Sequence, residues 1–230
     1  MNVRTTIVFS SLALIYLATL PLTPYVAQFL PKALPIVVLA VFAYTKLSAM
    51  PRYMVLAALL FSLAGDVSLA LPFADSFITG LACFFVAHLT YAMCFALLHR
   101  RLQDTTGDHI ISRKPKWFIS IIMVSFAVMM AVHILPASKA LFYPVVAYIS
   151  AITLMGLTAV WLAQTKLIVT GALLFVISDA ILAQSIFKIP LPLSTFWVMT
   201  TYYGAQYCLT MGLVDGFLRK ENRQEEIGQT

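Results

Sequence analysis

The sequence predicts an all-α membrane protein of eight transmembrane helices, arranged as two parallel four-helix repeats with both termini in the cytoplasm. Three observations predict it. The 230 residues are 61% hydrophobic and only 10% charged, with a mean hydropathy of +0.92. A soluble domain carries about 25% charged residues, because it must present a polar surface to water. Apolar runs of spanning length take up nearly all of residues 1–230, which form a single integral-membrane domain with no soluble domain left over. Lastly, Lys and Arg segregate to one side of the membrane when the number of spans is even.

Crossing the bilayer takes about 20 apolar residues, with a range of about 17–25. The runs that serve lie at 7–23, 34–49, 53–71, 77–98, 117–135, 141–163, 168–187 and 194–214. The second is the shortest, and Pro31 offers it an earlier start. Pro21, Pro24, Pro31, Pro51, Pro72, Pro136, Pro190 and Pro192 cluster at the proposed ends, where a missing N–H does least damage. With the amino end inside, Lys32, Lys139 and Lys188 lie on the outer side and the other 12 of the 15 Lys and Arg residues on the cytoplasmic side. One span more or fewer would scramble that bias. The first run follows Arg4 and has the apolar core of a signal peptide, but Thr19-Leu20-Pro21 is a poor cleavage site. It is expected to remain as a span.

The pI of about 9.3 does not point to nucleic acid, because the charges sit in short connections where they orient the chain. The basic loop at 103–116 and the polar tail at 221–230 are expected to be solvated ends rather than binding modules. A basic loop beside a membrane also attracts anionic lipid headgroups. Cys83, Cys94 and Cys208 all fall inside apolar runs and are expected as small buried hydrophobes, not a disulfide framework. Phe9, Phe42, Trp117, Phe142, Trp161, Phe187 and Trp197 are expected to face lipid or anchor the interface.

The repeat rests on the third and seventh spans. Leu59-Leu60-Phe61 leads to Gly65-Asp66 and Leu69-Ala70, while Leu173-Leu174-Phe175 leads to Ser178-Asp179 and Leu182-Ala183. In the spans that follow, Ala87-His88 has a weaker counterpart in Ala205-Gln206. Matching spans four helices apart cross in the same direction, which makes the repeat a parallel one. Asp66 and Asp179 then stand on equivalent helices, roughly 8 and 12 Å in from the outer ends at about 1.5 Å per residue.

A carboxylate in the bilayer is expensive, by about 2.5–3.5 kcal/mol on insertion scales, so it faces the bundle interior or a water-filled cavity. Asp66 and Asp179 are therefore candidates for a catalytic pair, an ion or proton site, or a structural hydrogen bond. Burial favours the protonated form of a carboxyl group, and a neighbouring carboxylate favours it further. One such group serves as general acid beside a charged partner. His88 and Tyr91 share a helix face with Phe84, and Tyr202 and Gln206 form a similar stripe in the last span; each is either a site residue or a bonded core residue. Lys32 is either an interfacial lysine or the partner of a phosphate or carboxylate. Lys139, Lys188 and Asp215 are expected as ordinary interfacial charges, and His133, near a span end without an evident partner, as structural. A metal site is disfavoured: of the four histidines only His88 lies well within a span, and hydrolytic zinc takes three protein ligands. There is no His-x-x-x-His pair and no Gly-x-Ser-x-Gly elbow.

Lys32-Ala33-Leu34-Pro35, Gly65-Asp66-Val67-Ser68-Leu69, His88-Leu89-Thr90-Tyr91, Gly171-Ala172-Leu173-Leu174-Phe175 with Ser178-Asp179, and Tyr202-Tyr203-Gly204-Ala205-Gln206 occur in this order. Together they resemble the YhhN/TMEM86 family of integral-membrane lysoplasmalogenases, over roughly residues 30–210. The resemblance implies hydrolysis of the vinyl ether bond of a lysoplasmalogen, a lysophospholipid with a single alkenyl chain. The products would be a fatty aldehyde and glycerophosphoethanolamine or glycerophosphocholine. It also implies Asp66 and Asp179 as the acidic motif positions, Lys32 as the motif lysine, and His88 and Tyr91 as the His-x-x-Tyr pair. Gln206 stands where members of the family vary. A vinyl ether hydrolyses when its terminal alkene carbon is protonated and water captures the resulting oxocarbenium ion. One Asp would supply the proton and the other stabilise the cation and orient water. His88, Tyr91, Tyr202 and Gln206 would position water or the glycerol, and Lys32 would pair with the phosphate. No cofactor is needed.

The alternative is a small secondary transporter or ion-coupled carrier, since parallel repeats and intramembrane Asp residues are also its marks. A structural or assembly role is the third possibility. The compact loops point to a bacterial inner membrane, with the endoplasmic reticulum left open.

Overall fold

The computed structural model describes residues 3–103, 113–162 and 165–228. Those residues are helical with short connections, and no strand occurs among them. The chain runs α1 (Val3–Thr19), α2 (Phe29–Lys46), α3 (Ala49–Ala70), α4 (Ser76–Gln103), α5 (Arg113–Ser138), α6 (Phe142–Leu162), α7 (Lys166–Phe187) and α8 (Ser194–Gly228). Single 3₁₀ turns at Leu20–Leu22 and Lys139–Leu141 follow α1 and α5. Among the described residues, six segments are long and apolar enough to cross a membrane: Val3–Leu22, Phe29–Lys46, Ala49–Ala70, Ser76–Arg101, Pro115–Leu162 and Lys166–Phe187. The protein is a multi-pass membrane protein. Pro115–Leu162 contains both α5 and α6.

Proline sets several of the helix starts. α2 begins at Phe29, so Pro31 falls in its first turn, where no backbone donor is needed. Pro35 lies deeper in α2 and is itself buried, at the expense of one backbone hydrogen bond. In α3, Pro51 again falls in the first turn. Pro136 lies within the last turn of α5, which runs to Ser138 and is followed directly by the 3₁₀ turn at Lys139.

The helix that is not apolar enough to qualify as a span is the inner one. α8 packs against α1, α2, α3, α4 and α7, and Met199, Tyr202, Tyr203, Gln206, Leu209 and Thr210 on it are all buried. A helix surrounded by protein does not need a lipid-facing apolar surface, so it tolerates Thr, Tyr and Gln where an outer helix would not. α5 is the opposite case. It touches α6 and α7, and Phe118, Ile121, Val128 and Val132 are exposed along it.

Several helix pairs pack closely through glycine, α3–α4 and α7–α8 among them. A Cβ on Gly65 of α3 would lie 2.7 Å from the Phe84 ring of α4. A Cβ on Gly171 of α7 would lie 2.9 Å from the Leu209 nitrogen and 3.0 Å from the Ala205 carbonyl oxygen of α8. Small residues at such crossings let the backbones approach.

Several expectations are corrected. Phe9 and Phe42 are core residues, 5% and 8% exposed, with Phe9 packed against Tyr203 and Tyr207 of α8. Trp117, Phe142 and Trp197 do face outward. Trp161 instead donates to Ser120 Oγ at 2.9 Å. His133 is not partnerless: its Nε2 lies 2.9 Å from Gln184 Oε1 and ties α5 to α7. Asp215 pairs with Arg219 one turn on, at 2.8 Å and largely exposed. The three cysteines are free. Most of the 103–116 loop, and the end of the 221–230 tail, lie outside the described residues; the tail's first part continues α8 to Gly228.

Candidate active site

Helical periodicity carries both acidic residues inward. On α3 the buried positions Val55, Ala58, Leu59, Ser62 and Gly65 form one stripe, and Asp66 continues it. On α7 the stripe runs through Ile168, Gly171, Ala172, Phe175 and Ser178, with Asp179 at the next step. Residues three and four apart share a helix face. Both carboxylates line one cavity of about 510 Å³ between the helices, together with Lys32, Phe84, Ser178 and Tyr202. They do not bond to each other; each is held by its own partners.

Asp66 belongs to a network joining α2, α3 and α8. Lys32 Nζ lies 3.1 Å from its Oδ1 and also donates to the Asp66 carbonyl at 3.2 Å. Tyr202 donates to Oδ2 at 2.6 Å. Tyr203 in turn donates to the Lys32 carbonyl at 2.8 Å. Both carboxylate oxygens are thus occupied by donors, Lys32 at one and Tyr202 at the other. Of the partners the sequence leaves open for Lys32, a phosphate or a carboxylate, the one it meets here is the Asp66 carboxylate. The lysine lines the cavity, but with its charge already paired.

Asp179 joins α4, α6 and α7. Tyr148 donates to its Oδ2 at 2.5 Å, and His88 Nε2 lies 3.2 Å from the same oxygen and 3.1 Å from the Tyr148 oxygen. Tyr148 has one hydrogen, already directed to the carboxylate, so Nε2 must carry the imidazole hydrogen in this arrangement. Both contacts converge on Oδ2, and no described protein group takes Oδ1. This carboxyl group is the one left with an oxygen for a reacting molecule.

An aromatic cluster fills the space between the networks. The Phe175 ring lies 4.7 Å from the His88 ring and 5.5 Å from that of Tyr202, edge to face in both cases. Phe84 stands 5.8 Å from Tyr202. A narrow apolar cleft adjoins the polar cavity, lined by Phe77, Leu81, Phe84, Ala127, Tyr148 and Asp179 among others. Asp179 and Phe84 line both spaces, so the carboxyl group stands where polar walls give way to hydrocarbon.

The structure thus brings together Lys32, Asp66, Asp179 and Tyr202 at the cavity, with His88 directly behind Asp179. It does not bring Tyr91 or Gln206 to the cavity walls. Tyr91 donates to Gln206 Oε1 at 2.5 Å with both residues fully buried, and the pair locks α4 to α8. Tyr148 is not among the residues the sequence singles out, and Phe175 figures there only as part of the repeat and the family motif. Tyr148 did leave a signal, a phenol deep in the sixth apolar run, but nothing in the run separates it from Tyr143, which is 81% exposed. Among the described residues no three His, Cys, Asp or Glu side chains cluster as metal ligands.

The chain is similar to known proteins. A human protein named lysoplasmalogenase TMEM86B is 35% identical over 184 residues, covering 79% of this chain and 73% of its own. A bovine protein named lysoplasmalogenase TMEM86A is 30% identical over 167 residues, covering 68% of this chain and 63% of its own. No solved structure matches. The profile of the YhhN family matches residues 27–213, a stretch that includes every residue of the two carboxylate networks. The chain belongs to the YhhN family.

Proposed function

We propose that this protein is a lysoplasmalogenase, hydrolysing the vinyl ether bond of a lysoplasmalogen to a fatty aldehyde and glycerophosphoethanolamine or glycerophosphocholine. The observation that carries the reading is the position of Asp179 at the junction of a polar cavity and an apolar cleft. A lysoplasmalogen has its reactive bond at just such a junction, between a charged headgroup and one hydrocarbon chain. The names of the human and bovine relatives point to the same activity. The cavity volume of about 510 Å³ falls in the range of small-molecule sites, about 300–1,000 Å³.

Asp179 is the acid and then the base. Protonated on Oδ1, it gives its proton to the alkene carbon farther from the ether oxygen, and the former double-bond electrons form the C–H bond. The positive charge is shared between the ether carbon and oxygen. The Asp179 carboxylate, steadied at Oδ2 by Tyr148 and His88, faces this cation. Water adds to the ether carbon and returns its proton to Asp179, giving a hemiacetal. Collapse of the hemiacetal moves its hydroxyl proton to the departing glycerol oxygen and frees the aldehyde. The acid is regenerated, and no net proton is consumed. Asp66, paired with Lys32, orients the glycerol or water through its side of the cavity, and the Phe84 ring stabilises the cation at its π-face. Such positioned acid–base groups contribute typically 10²–10⁴-fold each.

We read the chain further as eight spans with both ends cytoplasmic and a parallel four-plus-four repeat. Pro115–Leu162 folds back on itself as two helices, and α8 is shielded from lipid by its neighbours. The glycine-mediated pairs α3–α4 and α7–α8 are equivalent under the repeat, and each carries one Asp. The short connections fit a bacterial inner membrane.

The test is aldehyde release by purified protein in detergent, from lysoplasmalogen and from an ester lysophospholipid. The vinyl ether alone should react, without any ion gradient. Asp179→Asn should remove turnover while leaving the fold intact. Absence of aldehyde from the wild type, or near-normal rates in Asp179→Asn, would sink the reading.

A further inference from the structure

The cavity that holds the two carboxylates has a mouth, and the mouth is at one end of the bundle. Thr23 and Pro24 after α1, Gln28 before α2, Ala70 at the end of α3, Ser76 at the start of α4 and Ser194 at the start of α8 wall it. All six lie on connections or helix ends that alternate along the chain with those of the opposite face. The connections at the mouth end are poor in charge. There is none between α1 and α2, Asp75 between α3 and α4, Lys139 between α5 and α6, and Lys188 between α7 and α8. Lys32 is paired with Asp66 one turn inside.

The opposite end is basic. Lys46 and Arg52 flank the α2–α3 turn, Arg100, Arg101 and Lys116 the α4–α5 connection, Lys166 the start of α7, and Arg219 the last stretch of α8. Short connections rich in Lys and Arg are retained in the cytoplasm. We infer that the active-site cavity opens on the side of the membrane away from the cytoplasm, so that substrate is taken from that leaflet and the glycerophosphodiester is released there. The inference rests on the lysoplasmalogenase reading for its chemistry, but the direction of the mouth comes from cavity walls and charge alone.

The sidedness defines what must feed the reaction. A lysoplasmalogen carries a charged headgroup and crosses a bilayer reluctantly, since each charge is costly in hydrocarbon. The supplying reaction is therefore ester hydrolysis at the neighbouring glycerol carbon of a plasmalogen in the same leaflet, in which water adds to the carbonyl and a fatty acid leaves. Of the products, the aldehyde dissolves in the membrane, while the glycerophosphodiester stays on the side where it forms.

The experiment uses the full-length protein in right-side-out and inside-out membrane vesicles given lysoplasmalogen from outside, with glycerophosphoethanolamine measured in the external medium. Orientation is read in parallel by labelling Lys139→Cys and Arg219→Cys with a membrane-impermeant maleimide, and total enzyme by activity after detergent. Right-side-out vesicles should release product at least tenfold faster than inside-out ones, and label Lys139→Cys but not Arg219→Cys. Faster release from inside-out vesicles, equal release from both, or the reverse labelling overturns the inference. Activity missing even in detergent would instead overturn the enzymatic reading, while the labelling still reports the direction of the mouth.

Discussion

Lys32 and Asp66 face each other across α2 and α3 with 3.1 Å between Nζ and Oδ1, and the lysine side chain is 11% exposed against 3% for the aspartate. The cation reaches the same residue twice, since Nζ also donates to the Asp66 carbonyl. One ion pair therefore ties two helices together and lines one side of the cavity.

Breaking that pair should destabilise the protein more than it should alter specificity. Removing one partner of a buried ion pair leaves the other charge uncompensated and costs about 3–5 kcal/mol. Lys32→Met and Asp66→Asn should each lower the midpoint of thermal unfolding in detergent, and the double variant should be closer to wild type than the two losses added together. Additive losses would mean that the two side chains are not coupled.

Tyr148 should matter to the chemical step. Its hydroxyl steadies Asp179 Oδ2 from α6, and Phe at this position keeps the ring that borders the apolar cleft. Tyr148→Phe should lower kcat about 10- to 100-fold with KM within about twofold. A loss carried by KM alone would reassign the residue to substrate binding.

Tyr91 should behave in the opposite way. With its hydroxyl removed, Gln206 Oε1 loses its donor in a buried site, at about 1–3 kcal/mol. Tyr91→Phe should unfold at lower temperature yet turn over at the wild-type rate. A selective fall in kcat without loss of stability would bring Tyr91 back into the site.

The apolar cleft should measure chain length. Ala127 lies on its α5 wall, and phenylalanine there takes up space needed by a long alkenyl chain. Ala127→Phe should raise KM about tenfold or more for long-chain substrates, roughly the loss of two methylenes of burial, and leave short-chain substrates unaffected. A uniform change across chain lengths would show that the chain lies elsewhere.

Close backbone contact should make Gly171 intolerant. A Cβ there would meet the α8 backbone rather than a flexible side-chain tip, so α7 and α8 must separate to admit it. Gly171→Ala should destabilise the protein by about 1–3 kcal/mol, the range for overpacking, and reduce activity by displacing Asp179 relative to Tyr202. An unchanged unfolding midpoint would show that the helices relax freely.

Much of the helical framework was legible because lipid imposes it. Residues 168–187 and 53–71 announce themselves by apolarity, and their Asp residues stand out because a carboxylate in hydrocarbon needs a reason to be there. Legibility failed at several aromatic residues and at His133. Phe9 was expected at the lipid and lies in the core, since hydrophobicity does not distinguish a protein interior from a lipid tail. His133 found Gln184 through a contact between α5 and α7 that no spacing in the sequence encodes.

The sequence by itself determined that the chain is a bundle of membrane-crossing helices, and that Asp66 and Asp179 project from inward stripes, because periodicity and apolarity are local properties. Only the tertiary structure decided their partners. Lys32 comes from 34 residues away, Tyr202 from 136, His88 from 91 and Tyr148 from 31. Each partnership depends on how one helix is rotated against another, and that rotation is set by the packing of the whole bundle.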